Sequence, residues 1–241
     1  MRRDWTNISF VCGLHVLSLL GFYFTPRAAD VALFFTFYVL TGFGITGGYH
    51  RLLTHRAYEA PLWLRRAIGW LGTAAIQGGP VVWVGTHRRH HRFADKPGDP
   101  HTPRDGFWFS HVGWIFVKRD LAAERAYAKD LARDPFFAWL DRFAIVPWIV
   151  NVVICFAIGG LRGVLWGAII SVVVTWNITW SVNSFCHKFG RRPHATSEDS
   201  RNLWWVGLFG LGEGWHNNHH AYQRSAFAGE RALEIDLSGY I

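Results

Sequence analysis

The sequence predicts an all-α integral membrane protein: four transmembrane helices in two hairpins, capped on the cytosolic side by helices that carry a histidine-rich site. Three observations lead there. Uncharged runs of membrane length recur along the chain, lysine and arginine avoid the short links between them, and nine of the 13 histidines cluster near the ends of those runs. A mean hydropathy of +0.09 then averages lipid-facing and water-facing segments. With 14 Trp and 19 Phe, intrinsic disorder is excluded. The reading takes residues 1–241 as one domain.

The uncharged runs cover 5–26 (22 residues), 31–49 (19), 67–86 (20), 143–161 (19) and 163–186 (24). A helix rises about 1.5 Å per residue, so about 20 residues cross a hydrocarbon layer of roughly 30 Å. Only Arg27-Ala-Ala-Asp30 separates the first pair, and a Gly-rich link around Arg162 separates the last. Each pair therefore reads as a hairpin. The segment 50–142 holds 15 Lys and Arg and 184–241 holds six, against one in each hairpin tip. By the positive-inside bias the amino terminus, the centre and the tail are cytosolic, which requires an even number of crossings. The run 67–86 contains Gly78-Gly79-Pro80, which breaks a helix. It is expected not to span, leaving a cap of 50–142 and 187–241. The amino terminus lacks a removable signal pattern. Cys12, Cys155 and Cys186 sit in apolar stretches without a CxxC pair, so no disulfide framework is expected. A net charge of +8 is assigned to lipid headgroups and a phosphate-bearing substrate rather than to nucleic acid.

The histidine groups are His50 and His55; His87, His90 and His91; His187; and His216, His219 and His220. HxxHH occurs twice. Positions i, i+3 and i+4 share a helix face, so each triplet is expected to aim three imidazoles at one centre. Nine imidazoles exceed the four to six ligands of one ion, whereas two ions would use them and leave places for oxygen. Imidazole suits iron, copper, nickel and zinc; redox chemistry on a lipid favours iron.

The stretches GITGGYHRLLTHRAYEA (44–60), HRRHHRFADKPGDPH (87–101), GFWFSHVGW (106–114), WSVNSFCHKFG (180–190) and GEGWHNNHH (212–220) resemble the membrane fatty-acyl desaturases of the stearoyl-CoA desaturase type. The likeness runs from about residue 31 to 222. It implies a non-heme di-iron centre on the nine histidines, with Asn183 reaching one metal through a water. A plain helix-end cap is the other reading of Asn183. It also implies a kinked acyl tunnel with Trp83 and Thr179 at its bend, although Trp83 also suits an interfacial anchor. The implied reaction is O2-dependent removal of two hydrogens from adjacent methylenes, giving a cis double bond. The implied substrate is a C16–C18 acyl-CoA attacked at the ninth carbon.

That chemistry agrees with first principles. An unactivated methylene has no acidic proton for side-chain acid–base catalysis, while oxygen activated at a metal can attack it. Carboxylates that orient metal-bound imidazoles are expected at Glu213, Asp99 and Asp95. His101 and His111 are read as core or supporting residues, His15 as a neutral intramembrane partner, and His194 as a loop residue. Some of Arg88, Arg89 and Arg92 are expected to face the substrate headgroup or the electron donor. The chain stops 21 residues after His220, which puts burial of the metal site in question. No heme domain is appended, so electrons are expected from a separate ferredoxin, rubredoxin-like protein or cytochrome, with its reductase. The compact form suggests a bacterial cytoplasmic membrane. Two rival functions remain open: a membrane hydroxylase or alkane monooxygenase, and a non-catalytic metal- or heme-binding membrane protein.

Overall fold

A computed structural model describes residues 2–241. Helix α1 (Trp5–Ser18) opens on Asp4, whose carboxylate accepts from the Asn7 amide, and tightens into a 3₁₀ turn over Leu19–Tyr23. Helix α2 (Ala28–Phe43) starts at Arg27, where the Asp30 carboxylate accepts from the Arg27 amide. It passes without a break into a π-helix over Gly44–His55. The cap follows as α3 (Leu62–Ala74), α4 (Pro80–Phe93), α5 (Phe107–His111), α6 (Leu121–Ala126), α7 (Lys129–Ala132) and α8 (Pro135–Arg142). Helix α9 (Val146–Gly163), broken at Gly160, is followed by a π-helical stretch (Val164–Ile170) and α10 (Ser171–Ser184), which lead to a 3₁₀ turn ending at His187. The short helices α11 (Trp204–Phe209), α12 (His216–Ala221) and α13 (Leu237–Tyr240) complete the chain. Only isolated β-bridges interrupt the helical pattern among the described residues.

Three helical stretches are long and apolar enough to cross a membrane: Trp5–Tyr23, Ala28–His55 and Val146–His187. The sequence led us to expect four. The third stretch has 42 residues, about twice the roughly 20 needed for one crossing. It is doubled back at Gly160, whose φ of 61° and ψ of −149° are non-helical, a conformation that glycine alone enters at little cost. Across the bend the Trp148 indole donates to the Ala168 carbonyl at 2.9 Å. The runs expected at 143–161 and 163–186 are thus the two arms of this one stretch. The run 67–86 is not among the three, being divided between α3 and α4 by turns at Ile76 (φ 45°) and Gly78 (φ 105°).

Leu33 and Phe37 of α2 pack against Cys155 and Ala168, joining α2 to the two arms either side of Gly160. Val11 and Leu14 of α1 pack against Val172, Trp176 and Trp180 of α10. The cap has its own core, in which Tyr49 and Leu53 of the π-helix meet Ile68, Val84, Phe137 and Leu140. Apolar side chains such as Phe22, Phe35, Val153 and Leu161 are exposed on the outer faces of the long helices, as a lipid-facing belt requires. Cys12, Cys155 and Cys186 are free thiols, as expected.

The last 20 residues fold back over the cap. Arg51 donates to the Ala226 carbonyl (2.6 Å) and to Asp236 (2.8 Å), and Asn218 donates to the Ala228 carbonyl (2.9 Å). The chain as it stands therefore buries His216, His219 and His220.

Candidate metal centre

All nine expected imidazoles converge, in two sets. Ring nitrogens of His50, His55, His87, His91 and His219 lie within 4.8 Å of one another, and so do those of His90, His187, His216 and His220. The π-helix makes the first set possible. Its i→i+5 bonding places residues five apart nearly in line, and the His50 and His55 rings stand 4.9 Å apart. On an α-helix, at about 100° per residue, these two would diverge by about 140°. This device was missed from sequence; the Gly47-Gly48 pair within the run is the only local hint.

The HxxHH triplets behave differently from expectation. Each is divided between the sets rather than aimed at one centre. His87 and His91 join the first and His90 the second; His216 and His220 join the second and His219 the first. The reason is angular. Residues i and i+4 lie about 40° apart, while the residue between them sits about 60° to one side and about 100° from the other. The two triplets use this spacing in opposite senses, so α4 and α12 each contribute to both sets.

The inner nitrogens fit metal ligation. Nε2 atoms face each other at 3.0 Å for His50–His219, His87–His91 and His187–His216, and at 3.1 Å for His91–His219. Two nitrogens bound at about 2.1 Å to one ion and at right angles lie about 3.0 Å apart. Nε2 of His55 and of His220 is buried without a hydrogen-bond partner, an arrangement that costs free energy unless something accepts the lone pair. Burial first, and repulsion among the imidazoles second, hold His87, His91, His216, His219 and His220 well below the usual imidazole range. They are neutral and hence able to ligate.

The three expected carboxylates stand behind the rings. Asp99 lies 3.0 Å from Nδ1 of His90, Asp95 lies 2.9 Å from Nδ1 of His187, and Glu213 lies 2.5 Å from Nδ1 of His50. A carboxylate facing Nδ1 keeps the proton there and leaves Nε2 free to bind a metal. Burial raises the Glu213 carboxyl, but the opposing pull of His50 and Arg51 is larger and leaves it below the ordinary range. For Asp95 and Asp99 the bonds to His187 and His90 likewise outweigh burial. A fourth carboxylate was missed: Glu198, 3.6 Å from Nδ1 of His220. It sits in a polar Ser-Glu-Asp-Ser turn with no spacing that would mark it.

Other expectations sort as follows. Asn183 lines a narrow slot together with His50 and His216. Trp83 and Thr179 line the same slot, and both also line a wider cavity of about 540 Å³. The two spaces share Trp83, His87, Thr179 and Asn183, so they adjoin beside the histidines. Trp83 stacks on His87 with ring centres 5.1 Å apart. Gln77, also missed, donates to Thr179 at 3.1 Å and lines the wider cavity. His101 is buried against His90, and His111 bonds Ser184 at 2.9 Å. His15 accepts from Asn177 at 3.0 Å, and His194 meets Glu230 in an exposed loop. Arg88 and Arg89 turn inward rather than toward a headgroup or donor. Arg88 binds Asp130 and the Leu53 carbonyl, and Arg89 binds Glu124. Arg92 alone of the three stays exposed.

A family model described as fatty acid desaturase matches residues 28–228, which takes in every residue of both histidine sets. The chain belongs to the fatty acid desaturase family. Among its relatives are the "sn-1 stearoyl-lipid 9-desaturase" of Synechocystis, 43% identical over 97% of this chain and 74% of the relative, and a protein of the same name from Anabaena variabilis, 42% identical over 98% and 88%. The "Delta-9 acyl-lipid desaturase 2" of Arabidopsis thaliana is 41% identical over the whole chain and 79% of the relative. This desaturase is accordingly an oxidoreductase of fatty acyl chains, and its histidine sets are compatible with a metal site.

Proposed function

We propose that this chain inserts a cis double bond at the ninth carbon of a saturated C16–C18 acyl chain, using O2 and a di-iron centre held by the nine histidines. The observation that carries this is the two histidine sets beside the junction of the slot and the wider cavity at Trp83 and Thr179. Five imidazoles serve one iron and four the other, with Asn183 completing the smaller set through a water. Bound iron supplies the oxygen chemistry that unactivated C–H bonds require.

The residues of the chain supply position and dryness. The walls of the slot hold one methylene pair against the histidines, and a turn at that point selects which pair it is. Asp95, Asp99 and Glu213 fix the tautomers of His187, His90 and His50, and Glu198 adds negative charge beside His220. Removing two hydrogens yields two electrons, while reducing O2 to two waters takes four, so an external donor delivers two. We assign that role to a separate ferredoxin, rubredoxin-like protein or cytochrome with its reductase.

Four crossings are our reading of the topology, with the arms either side of Gly160 each spanning once. The basic cap then lies in the cytoplasm of a bacterium. For the carrier, sequence favoured acyl-CoA, whereas relatives at 41–43% identity carry acyl-lipid names. We therefore take a glycerolipid-bound chain as the first substrate.

Expression in a desaturase-deficient host tests the whole reading. Double-bond position is read by mass spectrometry, in lipid classes and in the acyl-CoA pool separately. New Δ9 alkenes arising in glycerolipid before they appear in acyl-CoA support it. The opposite order overturns the carrier, and a hydroxylated chain without an alkene overturns the reaction.

A further inference from the structure

The slot leaves the histidines and follows α2 toward Gly42 and Tyr38. These lie eight and 12 residues before His50, roughly 12 and 18 Å along the helix at about 1.5 Å per residue. The Tyr38 hydroxyl donates to the Phe209 carbonyl, so the far end is bridged by the last residue of α11, from which a loop continues. Within that loop Leu211 is buried, and its φ of 55° is a left-handed conformation that a leucine seldom adopts. Such a conformation persists only where its surroundings enforce it.

The enforcing contacts come from the tail. The Ser238 amide donates to the Leu211 carbonyl at 2.9 Å, and the Ser238 hydroxyl shares a 2.5 Å hydrogen bond with Thr46, another wall residue of the slot. Next to it, Asp236 accepts from Arg51 at 2.8 Å and lies so close against Gly212 (φ 113°) that a side chain there would collide with its carboxylate. The Leu211 side chain is thereby pressed onto α2. A methyl group at Gly42 would stand 3.1 Å from its terminal carbon, so this glycine is what admits it.

We propose that Leu211 is a chain-length determinant of this desaturase, and that Ser238 is the positioning residue that holds it in the slot. The inference rests on the proposed acyl reading of the slot and names the residue that limits how much chain lies beyond the reacting carbons. An acyl chain that enters past the turn at Trp83 meets Leu211 between the histidines and the Tyr38–Phe209 bridge. Shortening this side chain opens space for further methylenes. Enlarging it removes space. The tail acts at a distance from the metals because it fixes the backbone from which Leu211 projects.

The test expresses the full chain and its L211A, L211F and S238A variants in a desaturase-deficient host supplied with C14, C16, C18 and C20 saturated acids. Alanine at 211 keeps the backbone strain of leucine, so that comparison isolates the side chain. One methylene in an apolar pocket is worth roughly tenfold or more in selectivity. Expected results are a C18-to-C16 product ratio raised about tenfold in L211A and lowered by as much in L211F, with S238A shifted the same way as L211A by a smaller factor. Product ratios are internal to each sample, so a reduced amount of folded protein does not move them. An unchanged ratio in L211A and in whichever of the other two variants accumulates overturns the proposal. A wild-type chain that forms no alkene overturns instead the functional reading beneath it.

Discussion

Asp30 and Arg162 are 132 residues apart in sequence, yet their carboxylate and guanidinium meet at 2.5 Å. Asp30 is fully buried, and it also binds Arg27 at 3.1 Å, while Arg162 donates to the Thr25 carbonyl at 2.8 Å. One carboxylate thus ties the start of α2 to the segment just after the bend at Gly160. Removing one partner of a buried pair leaves an uncompensated charge and costs up to about 3–5 kcal/mol, less where the partner reaches solvent. Arg162 is part-exposed and Arg27 remains as a second cation. We expect Asp30→Ala to lower stability by about 1–3 kcal/mol and Arg162→Ala by less. Thermal unfolding in detergent measures both, and an equal or reversed order would remove the bridge from the account.

Removal of the proposed metal ligands should separate the two sets. His219→Ala takes one nitrogen from the five-histidine set, and His90→Ala one from the four-histidine set. Each is expected to abolish unsaturation and to lower bound iron from two toward one per chain, with membrane insertion intact. Glu213→Gln keeps the ligand but weakens its orientation, which costs roughly 10–100-fold in metal affinity. Elemental analysis of purified protein against added chelator reads all three. Full iron occupancy in His219→Ala would strike that residue from the ligand set.

Much of this site was legible before any coordinates. Nine imidazoles and three of the four supporting carboxylates could be named, because metal ligation demands particular residue types and leaves repeated local spacings. Their division into two sets was not legible. It depends on a π-helix that puts His50 and His55 on one side, and backbone winding of that kind has no residue signature. Glu198 and Gln77 were missed for a related reason: each acts across a tertiary contact, with no neighbouring motif. The fold shows the same split. Charge-free runs marked the apolar helices well, whereas the place of the reversal between the last two, at Gly160, is a choice among the several glycines of that link.

Arg88 binds Asp130 at 2.6 Å and the carbonyls of Leu53 and Tyr127 at 2.9 and 3.1 Å. It therefore locks α4, which bears three histidines, to the π-helix, which bears two. Burial raises the Asp130 carboxyl, but the bonds to Arg88 and Arg56 outweigh it and hold the group below the usual range. A depressed carboxylate stabilises above its unfolded pKa and loses that contribution as pH falls through the folded value. Asp130 is about one-third exposed, so its share is at most about 1 kcal/mol. Asp130→Asn should therefore cost little at neutral pH and nothing more in strong acid. Arg88→Ala leaves two carbonyls short of a donor and should cost more, about 1–2 kcal/mol. Melting curves at pH 7 for both variants, with the Asp130→Asn difference followed into acid, decide it; a difference that widens in acid would contradict the sign.

The proposed turn in the acyl path, where the slot meets the wider cavity, gives the last expectation. Gln77 and Thr179 bond across it at 3.1 Å, and Trp83 fills the other wall while stacked on His87. Thr179→Val keeps the volume and removes the acceptor, so Gln77 loses its partner; an unpaired amide in a part-buried wall costs about 1–3 kcal/mol. The wall then relaxes, and the methylene pair beside the histidines is no longer unique. Positional error of about 1 Å costs as much as 10²-fold in rate, so kcat should fall while substrate affinity changes little. Trp83→Ala removes far more volume and should also spread double bonds to neighbouring carbons. Isomer analysis of the products separates these outcomes from simple instability, because lost protein lowers every isomer alike. A single unshifted isomer from Trp83→Ala would mean that the turn is set elsewhere.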